Sequence, residues 1–285
     1  MRALLTALKL EMHTGLHTLG SKLVILAPSL LVGLQLILAS VTAATAEMSG
    51  NLFGGAGFEA ALANNAWGYF VDALSTGLTL LGLILVAFAA YSLAFDRDTG
   101  VMRHLVIRRL PRPVLVLAKL LYFHLLALIA IVLLLVVSYG LSGLLWEFGP
   151  VVEDGFELIS ETEIRQEIAL GLRLALIPMP AAIALALLVS VLANTATQAV
   201  SSALGLTLAL DIFKTSLGEA ANYVYARYQP SLLDQSYLQD VSRLVRGYSD
   251  VLVDERLLQL NTWVPIPALL LFVILALVLV NLRRL

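Results

Sequence analysis

Few residues of this chain stand in patterns that do covalent chemistry. His13 and His17 are spaced i, i+4, so on a helix both rings share one face and have the spacing of a metal pair. No third ligand lies near them, and the chain has no cysteine, which excludes disulfides and thiolate metal sites. Seven carboxylates, Glu147, Glu153, Asp154, Glu157, Glu161, Glu163 and Glu167, crowd around the single Arg165. Carboxylate pairs serve general acid–base work or hold calcium, but the EF-hand spacing is missing, and the cluster reads as a solvated polar segment. His124, alone in an apolar run, reads as a packed residue rather than a proton relay. Gly54-Gly55-Ala56-Gly57 follows no strand and reads as loop. The P-loop pattern G-x-x-x-x-G-K-[ST], H-E-x-x-H and G-x-S-x-G do not occur, so the chain holds no ATP through a P-loop of its own.

What remains is charge where charge is expensive. Asp72, Arg173, Asp211 and Lys214 fall within or at the ends of long apolar runs, where an ionisable side chain is a site hypothesis by default. Arg173, Asp211 and Lys214 sit at matching heights, so Arg173 and Asp211 can pair there, as a structural ion pair or a substrate contact. A denser group occupies DRDTGVMRHLVIRRLPRPVLVLAK, from Asp96 to Lys119: six basic side chains (Arg97, Arg103, Arg108, Arg109, Arg112, Lys119) against Asp96 and Asp98. Apolar runs enclose it, so it is a polar loop between membrane helices, and its Lys/Arg density marks the cytoplasmic face. Asp98 is placed to cap a helix beginning after Gly100, and Asp96 to hold neighbouring helix ends together at the membrane boundary.

The elements that must position these charges follow from composition. The 285 residues are 60% hydrophobic and 13% charged, against about 25% charged in soluble domains. The missing charge identifies an all-α membrane protein with room for six spans of roughly 20 residues. Residues 1–22 form an interfacial amphipathic helix, with Arg2, Thr6, Lys9, His13 and His17 on one face and Leu5, Leu8, Met12, Leu16 and Leu19 on the other. Spans are expected at 23–45, 67–95, 114–139, 168–192, 197–213 and 264–282, within one transmembrane domain, 1–285. Pro178 and Pro180 kink the fourth. Ser201, Ser202, Ala203 and Gly205 allow close packing of the fifth. Between spans five and six lies a tyrosine-rich outer helical segment, 215–261, with amphipathic pieces at Leu217–Tyr228 and Ser236–Arg246. The loop Glu47–Asn65 has no Lys or Arg and is placed outside; six spans return both termini to the cytoplasm.

Asp-x-Asp-x-Gly at Asp96, Asp98 and Gly100, a short apolar-basic helix, Arg112 in a turn and Lys119 opening the next apolar run resemble the membrane subunits of ABC-2 type transporters. The family's usual proline falls on Arg109, with Pro111 displaced. The likeness extends over the whole chain: interfacial helix, six spans, loop after span two, long outer segment before span six.

The resemblance implies a permease subunit of the inner (plasma) membrane, paired with a second permease copy and two copies of a separate ABC ATPase subunit. That ATPase would bind ATP and Mg; this chain would hold no cofactor, catalyse nothing itself and engage no nucleic acid. Asp96, Asp98, Gly100, Arg103, Arg108, Arg109 and Arg112 would be the ATPase-coupling residues, and the work done would be export of a substrate the sequence does not name. The alternative within the same assembly is a mechanotransmitting subunit that acts on a periplasmic protein docked at 215–261 and moves no cargo. An ATP-independent secondary carrier is a third reading, opposed by the poverty of mid-membrane carboxylates. An intramembrane enzyme is a fourth, without a recognisable nucleophile or metal set.

Overall fold

A computed structural model describes residues 2–53, 65–107, 110–153, 156–247 and 254–282. The chain is an all-α membrane protein, 84% helical, with six helices long and apolar enough to cross a bilayer. The α-helices among the described residues are, in chain order, α1 (Arg2–Gly15), α2 (Leu19–Phe53), α3 (Ala66–Asp98), α4 (Val101–Ile107), α5 (Arg112–Leu145), α6 (Glu161–Leu176), α7 (Met179–Leu192), α8 (Ala196–Phe213), α9 (Tyr237–Val245), α10 (Glu255–Trp263) and α11 (Pro265–Leu282). Three 3-10 turns, Lys214–Ser216, Gly218–Tyr223 and Tyr225–Arg227, lie between α8 and α9. Among the described residues a single antiparallel strand pair, β1 (Val151–Glu153) and β2 (Phe156–Ile159), sits between α5 and α6.

The bundle is built around α3. Its 33 residues run about 50 Å at 1.5 Å per residue, and it packs against α2, α5, α7, α8 and α9. Ala73, Leu74, Leu78, Leu81, Leu85, Ala89 and Ala90 on α3 are buried almost completely. α7 is the second buried helix, enclosed by α3 and α11. α2, α5 and α11 turn rows of Leu, Ile and Val outward (Leu30, Leu34, Val132, Val136, Leu270, Ile274). That outward face suits a chain solvated by acyl chains.

Four features differ from the expected elements, each for a legible reason. The fourth span is two helices: α6 starts at Glu161, seven residues before Ile168, because Ser160 and Glu163 form a reciprocal capping box. It then breaks fully at Ile177–Pro178, where Pro178 ends one helix and Pro180 sits in the first turn of the next. The piece Leu217–Tyr228 is a string of 3-10 turns, with Gly218 at φ 53°, rather than an amphipathic α-helix. Ser236–Arg246 does form the expected amphipathic helix, α9, whose Leu238, Val241 and Val245 are buried. The interfacial helix α1 turns Ala7, Leu8 and Met12 toward α5 and leaves Leu5 exposed, while Leu19 already belongs to α2 and is exposed there, so the buried stripe is rotated from the expected one.

Candidate functional site

The charged stretch closes α3, forms α4 and opens α5. Three consecutive side chains at the end of α3 each bind a different neighbour. Asp96 pairs with Lys119 of α5 at 2.7 Å, and Lys119 also pairs with Glu11 of α1 at 3.0 Å. The lysine side chain is only 5% exposed. An isolated ammonium buried like this would cost several kcal/mol; two carboxylates, both accepting hydrogen bonds, offset that cost. The result is a three-point clasp of α1, α3 and α5. Burial pushes the Glu11 carboxyl above its ordinary range, and the Asp96 charge adds to the push while Lys119 opposes it.

Arg97 donates to the carbonyls of Val191 and Ala193, which end α7. Asp98 accepts the Ala196 N–H at 2.7 Å. It therefore caps α8, not the helix after Gly100. The reason lies in the turn 193–195: it leaves the first N–H groups of α8 without intrahelical partners, next to the Asp98 carboxylate. Thr195 takes the Gln198 N–H in the same turn. Together Arg97 and Asp98 grip both sides of the α7–α8 turn.

Gly100 has φ 76°, the left-handed conformation that only glycine adopts without strain. It lets the Thr99 and Gly100 N–H groups return to the Phe95 and Arg97 carbonyls, ending α3 and freeing the chain to start α4 at once. Met102 is 3% exposed and anchors α4 to α3 and α5, whereas Val101 and His104 face outward. Arg103 lies on α4; its side chain, and Arg108 and Arg109 altogether, fall outside the described residues. Arg112 opens α5 directly after Pro111.

One turn above this clasp, the Ser190 hydroxyl of α7 donates to the Ala90 carbonyl and accepts the Ala94 N–H. Those two backbone groups are four residues apart, the pair an α-helix normally joins. The hydroxyl thereby ties α7 to the backbone of α3 one turn before its charged end.

At the opposite end of the bundle the intramembrane charges are arranged differently from the expected pairing. Asp211 pairs with Lys214, one turn along its own chain, at 2.8 Å, and both side chains are almost wholly buried. Ser231 bridges them, accepting from Lys214 Nζ and donating to Asp211 Oδ1, and the Leu233 N–H completes the carboxylate shell. Arg173 is exposed on α6, and among the described residues no ion pair joins it to Asp211. Lys214 is nearer in sequence and the 3-10 turns bring Ser231 alongside, so Asp211 is satisfied without it.

The polar segment after α8 is laid down along α3. Arg246 and Ser242 bind Asp72, Asp234 accepts from Ser75 at 2.9 Å, and the Gln229 amide lies so close to Gly82 that a Cβ there would meet its nitrogen at 2.7 Å. Asp72, Ser75, Thr79 and Gly82 are spaced 3, 4 and 3, one face of a helix, and the ladder descends about 15 Å. A cavity of about 20 Å³, room for a single water, lies between Thr79, Thr207, Asp211, Tyr225 and Gln229. Gly82 stands about 24 Å along α3 from Asp98, and Asp211 about 22 Å along α8 from Ala196. The charged pair therefore lies near the end of α8 remote from Asp98.

Glu11, Ser190, Asp234 and Arg246 are the functional-site members that sequence reasoning did not single out. Glu11 has a visible signal, standing three residues after Leu8 and beside Met12 on the buried stripe. Among the described residues no group of three or more His, Cys, Asp or Glu side chains is gathered as a metal site, and His13 and His17 meet only each other, edge to face at 5.8 Å. Compared with protein-family models, with curated proteins and with solved structures, the chain finds no match in any of the three.

Proposed function

We propose that this chain is the membrane-spanning permease subunit of an ATP-binding cassette exporter of the ABC-2 type. It pairs with a second copy and couples ATP hydrolysis in a separate subunit to export. The observation that carries the reading is the clasp at Asp96–Asp98. A short helix, α4, projects from the one point of the bundle that is tied to α1, α5, α7 and α8 together. A displacement of α4 is passed to all four, because ion pairs and caps of this kind hold position rather than slide. Directly above, Ser190 joins α7 to the same end of α3, so a displacement of that end reaches α7 by a second route.

A second feature supports pairing with another copy. α8 is the least apolar of the six spanning helices, with mean hydropathy 1.3. It turns Thr197, Gln198, Ser201, Ser202 and Gly205 outward. Polar and small side chains facing acyl chains gain nothing there, whereas against a second helix they allow close approach and hydrogen bonds. In this reading two α8 faces line a polar route between the copies.

The remaining assignments follow the same reading. The α4 end is cytoplasmic, both termini lie on that side, and the membrane is the inner (plasma) membrane. ATP and Mg belong to the two ATPase subunits; this chain is not an enzyme. The mechanotransmitting alternative asks the 215–261 segment to present itself to a periplasmic protein. Yet much of that segment is engaged by the bundle, with Tyr225, Tyr228, Tyr237, Leu238 and Val241 buried.

The test is co-purification from the native host. A P-loop ATPase should accompany the chain in detergent, and ATP turnover should require both chains. Robust turnover by the isolated chain, with contaminants excluded, would sink the assignment.

A further inference from the structure

α10 stands off from the 3-10 turns and α9, and a trough opens between them at the end of the bundle remote from α4. It has two confluent parts, of about 480 and about 340 Å³, that share Arg227, Gln235, Asp254 and Leu257 as lining. Its two parts differ in charge. The larger adds Arg256 and Lys214, with Glu219, and Lys214 is already committed to Asp211. The smaller adds Asp240 as its only further charged group, between the rings of Tyr228 and Tyr237 and the amide of Asn261.

Hydrogen-bond accounting gives each part a preference. Asn261 is 2% exposed and Asn222 6%, and the Oδ1 of each has no partner among the described residues. Both residues line the trough, Asn222 in the larger part and Asn261 in the acidic one, so each part carries one acceptor left without a donor, and a buried acceptor without a donor is costly. Tyr228 and Tyr237 donate their hydroxyls elsewhere, to the Asn222 carbonyl and to Glu167, which leaves their ring faces as the wall. Burial pushes the Tyr228 phenol up to about 12, so that ring stays neutral and its face stays attractive to a cation. Burial likewise raises the Asp240 carboxyl, with Arg243 opposing and Asp234 adding.

We infer that this trough binds a small zwitterion, its ammonium seated by Asp240, Asn261 and the two tyrosine rings, and its phosphate or carboxylate held by Arg227 and Arg256. A guanidinium fork suits a planar or tetrahedral anion. The same chemistry occurs in a free solute and in an aminophospholipid headgroup at the membrane surface. This inference does not rest on the permease reading.

The test uses the full chain in nanodiscs of phosphatidylglycerol, titrated calorimetrically with glycerophosphoethanolamine, glycerol 3-phosphate and ethanolamine. The zwitterion should bind about tenfold or more tightly than either half, the loss expected when one charge-assisted contact is removed. Asp240→Asn should weaken the zwitterion and ethanolamine and leave glycerol 3-phosphate unchanged; Arg256→Gln should do the reverse. Both changes keep the size of the side chain, and Arg256 is exposed, so folding is retained. In a second arm the discs carry phosphatidylethanolamine. If that lipid raises the thermal stability of the wild type but not of Asp240→Asn, while the free zwitterion does not bind, the headgroup is the ligand. Equal binding of all three probes, or no binding of the free zwitterion at millimolar concentration together with no lipid effect, would overturn the inference.

Discussion

Lys119 holds two carboxylates in a site nearly closed to water, and the three groups belong to three different helices. Removing only the lysine leaves Glu11 and Asp96 facing each other. Lys119→Met should therefore cost about 3–5 kcal/mol, read as a lower unfolding temperature in detergent. The triple change Lys119→Met, Glu11→Gln, Asp96→Asn should restore most of it, because no buried charge is then left without a partner. A triple variant as unstable as the single one would show that the clasp is not what holds these helices.

The sign of the pH effect at Glu11 follows from its raised folded-state pKa. A carboxyl raised on folding contributes stability that is complete below its unfolded value, about 4.3, and that is lost as pH rises through the folded value. Going from neutral to mildly acidic pH should thus stabilise the wild type more than Glu11→Gln in matched thermal melts. An identical pH slope in the two proteins would remove Glu11 from the account. The lysine and Asp96 were legible in the sequence because they flank apolar runs. Glu11 was passed over because a single acid in a basic amphipathic helix looks like surface until its position on the stripe is counted.

At the scale of elements, the polar segment after α8 is ordered by α3. Asp72, Ser75, Thr79 and Gly82 stand at heptad spacing in the sequence, and the partners they meet are Arg246, Asp234 and Gln229. The stripe could have been read from the sequence; the partners could not, since they lie about 150 residues on and their register depends on the 3-10 turns. The chain has no cysteine, which makes the geometry simple to test. Ser75→Cys with Asp234→Cys should cross-link in native membranes, and Gln229→Cys should resist an impermeant thiol reagent that labels Arg256→Cys. Free labelling at 229 would lift the segment off α3. Gly82→Val should cost about 1–3 kcal/mol, since the added bulk meets the Gln229 amide. The break at Ile177–Pro178 was legible from two prolines, as a kink, while the start of α6 was hidden in Ser160-Glu161-Thr162-Glu163, a capping signature set among acids that read as loop. The strand pair β1–β2 had no such signal, because its seven strand residues form two runs of only three and four.

For the whole molecule, the six spanning helices were legible from hydropathy alone, because lipid demands about 20 apolar residues per crossing whatever the fold. Which helix is central was not, since hydropathy ranks α5 above α3, and only packing shows α3 against α2, α5, α7, α8 and α9. The orientation is checked by Arg103→Cys, which should be inaccessible to an impermeant reagent from outside intact cells. Labelling there would invert the topology.

The claim on which the rest depends is that the Asp96–Arg112 region takes up the stroke of a separate ATPase. Its most direct measurement is ATP hydrolysis by the assembled complex carrying Arg108→Glu with Arg109→Glu. If these arginines only anchor the loop to anionic headgroups, at about 1 kcal/mol each, reversal should disturb insertion and leave any assembled complex active. The account predicts the opposite: normal insertion and an unchanged unfolding temperature, with loss of ATPase binding or of permease-stimulated hydrolysis. A double variant that assembles and hydrolyses ATP at the wild-type rate would contradict it.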